Sequence, residues 1–482
     1  MQTKLERELK LETPEDFELS RLPLQLNGFD STPTEIARLH TIYYDTDDYR
    51  LARWGASLRY RHAEGWTLKI PVASEDGALA REERTFESPQ EIVPGQALDL
   101  ATAFTRGRPL APVTELRTIR TKRDLRDASG AKVAEIVEDD VHVIEQMHVS
   151  KRFRQIEIEL DDGTEERVLK KIRHALQDCG AGDRDALPKN VRALGLSRAD
   201  ELDLPDIGKR SSIGDVFRAT FGRAVQDLVR NDAKLRVRSD EDAIHQARVA
   251  VRKLRSHLRT FESVLDPHWA GSLRARLERI GDRLGEARNA DVMLNRIEAD
   301  AQEIEEDATA LLEPLKREQE RTHSSVSAML REGQYITLLD DVIDAAKRPF
   351  FLAGTADKAG DVDRDVVGRV WRKLRKTVRQ RSRPPSDEDL HEIRKKAKNL
   401  RYAAEAFEPV RGKLARVARS AERLQTLLGD QHDAVAASRL LKGKALASAA
   451  EFLAAQLAVR EHVTSRDGRR RWKRCWRRVG AI

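Results

Sequence analysis

Two periodicities divide this chain. Up to about residue 200, several segments alternate apolar and charged positions with period two, the spacing of a strand; from about Ile213 the apolar positions recur at helical spacing. In LERELKLE, Glu6, Glu8 and Lys10 project to one side while Leu5, Leu9 and Leu11 lie on the other. SLRYRHAEGWTLKI reads as a hairpin in which Arg59 and Arg61 share a face, Glu64-Gly65 makes the turn and Lys69 follows on the return strand. KVAEIVEDDVHV places Glu135, Val137 and Asp139 on one face, and RQIEIELDDG alternates Glu157 and Glu159 with Ile156, Ile158 and Leu160. One such strand is the solvated face of an antiparallel sheet. Four or five in one domain shift the balance towards the alternative, a sheet closed into a barrel with its charged faces turned inward around a wet interior and its apolar faces covered from outside.

In the helical part, VFRATFGRAVQDLV joins Val216, Phe217, Ala219, Phe221, Ala224, Val225 and Leu228 into one apolar surface. The stretch ELDLPDIGKRSS before it holds Pro, Gly and Ser and suits a linker. The expected organisation is a strand domain at 1–203, a linker at 204–211 and a helical domain at 212–482. Its halves lie at about 212–345 and 360–482, with the Pro349 segment and Gly354 to Gly360 between them. The fold class is α+β multidomain.

The most informative pattern is a repeat: HQARVAVRKLR begins at His245 and HEIRKKAKNLR at His391. At the helical step of ~100° per residue, positions 0, +3, +7 and +10 fall within an arc of about 80° and span about 15 Å of axis. His245, Arg248, Arg252 and Arg255 therefore share one stripe, as do His391, Arg394, Lys398 and Arg401. The match continues through Phe261-Glu262 and Phe407-Glu408, then Leu284-Gly285-Glu286 and Leu428-Gly429-Asp430, followed by Arg288-Asn289 and His432-Asp433, which marks an internal duplication. Gly285 and Gly429 suit close helix contacts. Like charges along a helix repel and are usually relieved by interleaved acids, yet HQARVAVRKLR contains none, so an anion is the missing partner. His245 and His391 fit either core histidines or donors to that anion. The duplication predicts one shared groove between two bundles.

Composition adds the kind of partner. Among 482 residues the net charge of +7 is uneven: residues 1–200 hold 31 Lys and Arg against 37 Asp and Glu, a balance of −6, and the remainder carries 57 against 44, or +13. A basic half seeks nucleic acid, acidic lipid or polyphosphate. Nucleic acid ranks second, because Ser256 stands where the other repeat has Tyr402, so no stacking aromatic is repeated. The tail RRRWKRCWRR, Arg469 to Arg478, reads as a terminal helix packed through Trp472 and Trp476. Cys179 and Cys475 lack metal-ligand spacing and argue against a disulfide framework. No apolar run approaches the roughly 20 residues that span a bilayer, and the charged N-terminus is unlike a signal peptide. The expected location is the cytoplasm.

Glu6-x-Glu8-x-Lys10 resembles the ExExK motif of the CYTH family of triphosphate tunnel metalloenzymes. YYDT at Tyr43 to Thr46, Leu58-Arg59-Tyr60-Arg61, Lys69, Arg120, Glu157, Glu159 and PKNVRALG around Lys189 occur in that family's order. The resemblance implies an eight-stranded antiparallel tunnel that binds a triphosphate with Mg²⁺ or Mn²⁺ and hydrolyses it. Glu6, Glu8, Glu157 and Glu159 would hold the metal, with Asp139 and Glu135 placed less directly. Arg59, Arg61, Lys69, Arg120 and Lys189 would hold phosphates. Lys10 would bind phosphate or, with a depressed pKa, help activate water, which makes Glu6, Glu8 and Lys10 the catalytic set. Arg81 and Glu83 share a strand face and fit either the tunnel or the surface.

The repeated basic helices resemble the CHAD domain, an α-helical family named for its histidines. That resemblance implies two four-helix bundles related by a pseudo-twofold, with a central cationic surface that binds inorganic polyphosphate. The expected function is therefore a polyphosphate-binding protein whose tunnel hydrolyses inorganic triphosphate or a related triphosphate. A non-catalytic granule adaptor, a nucleic-acid or ribosome-associated binder and a nucleotidyl cyclase are the alternatives.

Overall fold

The computed structural model describes residues 2–26, 28–72, 79–90, 92–161, 163–185, 187–197, 201–237, 241–302, 308–352, 355–445 and 451–479. Residues 353–354, part of the expected connection between the helical halves, fall outside the described residues. The chain divides into two compact units, Met1–Glu201 and Leu202–Ile482.

The first unit runs β1 (Gln2–Glu12), β2 (Gln25–Leu26), β3 (Phe29–Ser31), β4 (Glu35–Asp45), α1 (Arg50–Arg53), β5 (Ser57–Arg61), β6 (Gly65–Val72), β7 (Leu79–Phe86), α2 (Gly95–Thr105), β8 (Ala111–Arg126), β9 (Lys132–Glu145), β10 (His148–Leu160), α3 (Glu166–Asp178) and α4 (Lys189–Ala193). The sheet order β8-β4-β5-β6-β7-β1-β10-β9 closes through a β8–β9 pairing, so eight antiparallel strands form a ring and the short β2-β3 ribbon attaches to β8. Closure removes the free sheet edge. The expected hairpin forms between β5 and β6, and Gly65 takes the left-handed conformation its turn needs (φ +78°).

Because side chains alternate, each charged face turned inward forces an apolar face outward. Leu9 and Leu11 of β1 and Ile156, Ile158 and Leu160 of β10 pack outside the ring against Leu169, Ile172 and Leu176 of the amphipathic α3. Burying each such side chain contributes about 1.5–3 kcal/mol. This inverts the usual barrel, in which the interior is the hydrophobic core.

Nine helices, counted among the described residues, make the second unit: α5 (Ile213–Arg236), α6 (Glu241–Thr260), α7 (Pro267–Gln302), α8 (Thr309–Met329), α9 (Gly333–Lys347), α10 (Ala359–Gln380), α11 (Asp387–Phe407), α12 (Leu414–Ala445) and α13 (Glu451–Val479). Capping boxes start α5 at Ser212 with Asp215 and α11 at Ser386 with Asp389, satisfying otherwise orphaned amides. Helices α5 to α8 correspond in order to α10 to α13, and α9 is a fifth helix that packs on α5 and α7 in the first half. The basic helices α6 and α11 meet, and Phe261 stacks on Phe407 with ring centroids 5.4 Å apart and planes 16° apart. Since these phenylalanines hold the same place in each repeat, the local twofold passes between them. Trp472 of the tail helix is fully buried beneath the guanidinium of Arg381. No described helix is long and apolar enough to cross a membrane.

Candidate functional site

All eight strands of the ring send side chains into one cavity of about 210 Å³. Seven carboxylates line it, from Glu6, Glu8, Glu64, Glu83, Asp139, Glu157 and Glu159; seven cations face them, from Lys10, Arg59, Arg61, Lys69, Arg81, Arg120 and Lys189. The totals balance, and strand register decides which charges meet.

Antiparallel pairing of β1 with β10 sets Glu8 opposite Glu159 and Lys10 opposite Glu157, while β7 brings Arg81 opposite Glu6. Carboxylate oxygens of Glu6, Glu8 and Glu159 gather within 4.8 Å of one another. Burial, followed by the charges of Glu6 and Glu157, pushes the Glu159 carboxyl up to about 7. Burial also opposes the charge on Glu6, but Lys69, donating at 2.6 and 2.8 Å, outweighs it and holds that carboxyl below its ordinary range. Glu8 Oε1 is buried without a hydrogen-bond partner, although Arg81 lies 3.3 Å away. Glu6 and Glu8 are ion-paired with Lys69 and Lys10, but Glu8 Oε1 is orphaned and Glu159 has no ion pair among the described residues, so this group of hard oxygen donors fits a divalent cation such as Mg²⁺ or Mn²⁺.

Glu157 and Asp139 sit among cations instead. Arg120 grips Asp139 bidentately at 2.9 and 2.8 Å, and Lys189 bridges Asp139 and Glu157, reaching the latter at 2.5 Å. Lys10 donates to Glu157 and, at 3.0 Å, to Glu8. Burial opposes ionisation of both acids, yet Lys10 and Lys189 hold Glu157 well below the usual carboxylate range, and Lys189 and Arg120 hold Asp139 below it. Glu157 and Asp139, both expected metal ligands, are ion-paired as Glu6 and Glu8 are, and they stand outside the three-carboxylate group. Glu135 does not line the cavity and pairs with Lys132 at 3.2 Å. Of the two roles open to Lys10, its surroundings favour phosphate binding: burial lowers its pKa, but Glu157 and Glu8 raise it above the ordinary lysine range.

On the opposite wall Arg61 donates to both oxygens of Glu64 at 2.6 and 2.7 Å and to Thr41 at 3.1 Å. Arg59 lies 3.5 Å from Glu83 and 3.7 Å from Glu64, and Lys69 lies 3.3 Å from Glu83. Arg81 and Glu83, open between tunnel and surface in the sequence, belong to the tunnel. Glu64 was read only as a turn residue; its signal was the Arg61-x-x-Glu64 spacing. Asp45 of YYDT is structural, since its carboxylate accepts the amides of Thr46, Leu51 and Ala52 at 2.7, 2.8 and 2.9 Å and fixes the α1 turn.

In the helical unit the two stripes contribute unequally. Arg248 and Arg252 of α6 come close to Arg394 and Lys398 of α11. Burial first, then Arg252 and Arg394, lower Arg248 to about 10. Burial first, then Arg252, Arg394 and Arg248, push Lys398 down to about 6. Arg252 Nε donates across the seam to Tyr402 Oη at 3.2 Å. The outermost members are withdrawn: Arg255 pairs with Glu278 of α7, and Arg401 pairs with Glu405 at 2.6 Å and Glu422 of α12 at 2.9 Å. These are matching bridges in the two repeats.

Gly285 and Gly429 make room for this cluster. A Cβ at Gly429 would meet the Arg394 guanidinium at 3.3 Å, and one at Gly285 would meet Arg248 at 3.7 Å. Each repeat's glycine thus faces that repeat's second basic residue. His245 and His391 are only partly buried. Burial, then Arg288 and Arg252, keep His245 below the usual histidine value; burial, then His432, whose ring lies 4.4 Å away, bring His391 down to about 4.

The inverted barrel and the duplicated helical unit define a two-domain class. Family models match a CYTH domain at residues 4–181 followed by a CHAD domain at residues 219–442, and the chain is a CYTH–CHAD protein. CYTH domains are metal-dependent tunnel enzymes that bind triphosphate substrates. The chain is similar to the uncharacterized proteins Rv2226 and MT2285 from two strains of Mycobacterium tuberculosis, each 29% identical over 447 residues, covering 87% of this chain and 84% of the relative. Among solved structures, PptA from Streptomyces chartreusis aligns at 19% identity over 55% of this chain and 100% of its own (TM-score 0.45). The CHAD domain of the plant Ricinus communis aligns at 23% identity over 58% of this chain and 96% of its own (TM-score 0.46).

Proposed function

We propose that the tunnel hydrolyses inorganic triphosphate or a related triphosphate with a divalent metal, and that the helical groove binds inorganic polyphosphate. The observation that carries the first half is the group of three carboxylates inside the closed barrel: Glu6, Glu8 and Glu159 within 4.8 Å of one another, in a cavity that lysines and arginines also line. Glu6, Glu8 and Glu159 would hold the metal. Bound there, it supplies neutralisation of the polyanion and orientation of a water.

The chain's own part follows from its cations. Arg59, Arg61 and Lys69 exchange their tunnel carboxylates for phosphate oxygens, Arg by its planar fork and Lys as a point charge. Asp139 and Glu157 keep Arg120, Lys189 and Lys10 fixed and charged, so these donors need no reorganisation as charge moves onto the leaving phosphate. The surrounding ring of strands limits contact with bulk water and so strengthens these interactions. No nucleophilic side chain is required. Phosphate release from tripolyphosphate with Mg²⁺ or Mn²⁺ should vanish in Glu6→Ala with Glu8→Ala, and retained turnover would overturn the metal assignment. Cyclic nucleotide formation from ATP would mark a cyclase instead.

For the groove, the supporting observation is four clustered cations, Arg248, Arg252, Arg394 and Lys398, beside an aromatic that is unavailable for stacking. Tyr402 is 3% exposed and its hydroxyl is engaged by Arg252. A base-free polyanion suits such a surface better than single-stranded RNA. Competition between long-chain polyphosphate and RNA at matched ionic strength tests this, and preference for RNA would refute it. Polyphosphate binding would place the protein on cytoplasmic granules.

A further inference from the structure

A second cavity, about 300 Å³, lies between α6, α10 and α11, and none of the four clustered groove cations lines it. The duplication breaks at this place. Ser256 on α6 occupies the position that Tyr402 holds on α11, eleven residues past each histidine. Tyr402 fills its site and engages Arg252, whereas the Ser256 hydroxyl is buried (5% exposed) and has no hydrogen-bond partner. Buried hydroxyls in native structures are nearly always paired. This one lines the cavity, so a ligand there would meet it.

The charges around the cavity also depart from the repeat. Arg259 corresponds to Glu405 and Lys396 to Ala250, so cations stand where the other repeat has an acid and a methyl group. Arg369 and Lys373 on α10 complete the set. Among the described residues the one acid lining the cavity is Glu262, which reaches Arg369 only at 3.5 Å and Lys373 at 3.6 Å. Glu278 acts on Arg259 and Glu392 on Lys396 from outside the lining, and neither Arg259 nor Lys396 forms an ion pair among the described residues. The excess positive charge calls for an anion. Val366 and Val370 form an apolar wall beside it, which a bare phosphate chain would leave uncovered.

We propose that this cavity binds a small phosphate monoester, with the phosphate held by Arg259, Arg369, Lys373 and Lys396 and the organic portion laid on Val366 and Val370. The ester oxygen side of the ligand accepts from Ser256. Such a ligand spans both halves of the duplication, touching α6 from the first and α10 and α11 from the second. The site goes beyond the tunnel and groove assignments and depends on neither.

The test is isothermal titration of the full-length protein with phenyl phosphate and with inorganic phosphate at fixed ionic strength. Phenyl phosphate should bind at least tenfold more tightly than inorganic phosphate. Ser256→Tyr, which installs the side chain of the other repeat, should weaken it tenfold or more. Arg369→Ala with Lys373→Ala, on the solvent side of α10, should do the same without disturbing the core. Long-chain polyphosphate affinity should stay within twofold in both variants. Equal affinity for inorganic phosphate, no binding at millimolar phenyl phosphate, or binding that survives both variants would overturn the proposal.

Discussion

Under the proposed function, Lys398 would make the binding of polyphosphate a proton-uptake reaction. Crowded by Arg252, Arg394 and Arg248 in a partly buried setting, its ammonium loses its proton near pH 6 in the free protein. At pH 7 only about one molecule in ten carries the charge, and a bound polyanion that restores an ordinary lysine pKa of about 10.4 draws in roughly 0.9 proton. The sign follows directly. The charged form binds, protonation favours it, and affinity falls as pH rises through the window between the free and bound pKa values. Between pH 7 and 8 the loss is roughly tenfold; below pH 5 the dependence from this residue disappears because Lys398 is already charged.

His245, His391 and His432 are held below the usual histidine value in the free protein, and a bound polyanion raises them too, adding proton uptake at the acid end of the window; Asp430 is raised from the ordinary aspartate value, and Arg248, lowered to about 10, bears on its alkaline end. Lys398→Arg, which copies Arg252 of the other repeat, should flatten the profile and bind more tightly at pH 8. Lys398→Met should flatten it at low affinity. Calorimetry with long-chain polyphosphate, at one ionic strength and in buffers of different ionisation enthalpy, reads affinity and proton uptake together. A wild-type affinity constant from pH 6.5 to 8.5, or an unchanged slope in Lys398→Arg, refutes the reasoning.

Three further outcomes are expected. Arg252→Ala should weaken polyphosphate binding by tenfold or more, while Arg255→Ala should change it less than threefold, because Arg255 is committed to Glu278; equilibrium titration compares them. Phe407→Ala should destabilise the helical unit by about 3–5 kcal/mol by emptying the stacked pair at the local twofold, measured as a shift in denaturant midpoint without a change in tunnel activity. Gly429→Ala should displace the Arg394 guanidinium and lower polyphosphate affinity severalfold with little loss of stability; equal binding would show that the 3.3 Å approach is not limiting.

Much of this architecture was legible from local patterns. Alternation alone placed Glu6, Glu8 and Lys10 on one strand face, and the paired His-x-x-Arg stretches announced two equivalent helices. These are properties of neighbouring residues, and side-chain direction along a strand or helix is set by backbone geometry. The same patterns, with the family resemblance, left Glu6, Glu8, Glu157 and Glu159, and less directly Asp139 and Glu135, as candidate metal ligands, and eight side chains equally eligible for the groove.

Which of them meet was decided by distant parts of the chain. Register between β1 and β10, some 150 residues apart, joins Glu8 to Glu159 and hands Glu157 to Lys10; a one-residue slip would have turned every charge outward. Likewise Glu278 and Glu422, on α7 and α12, withdraw Arg255 and Arg401 from the groove, and the approach of α6 to α11 depresses Lys398. Charge, periodicity and repetition are written residue by residue, but ion pairing and pKa depend on distances of a few ångströms between elements. Those distances exist only once the strands have closed and the two repeats have packed against each other.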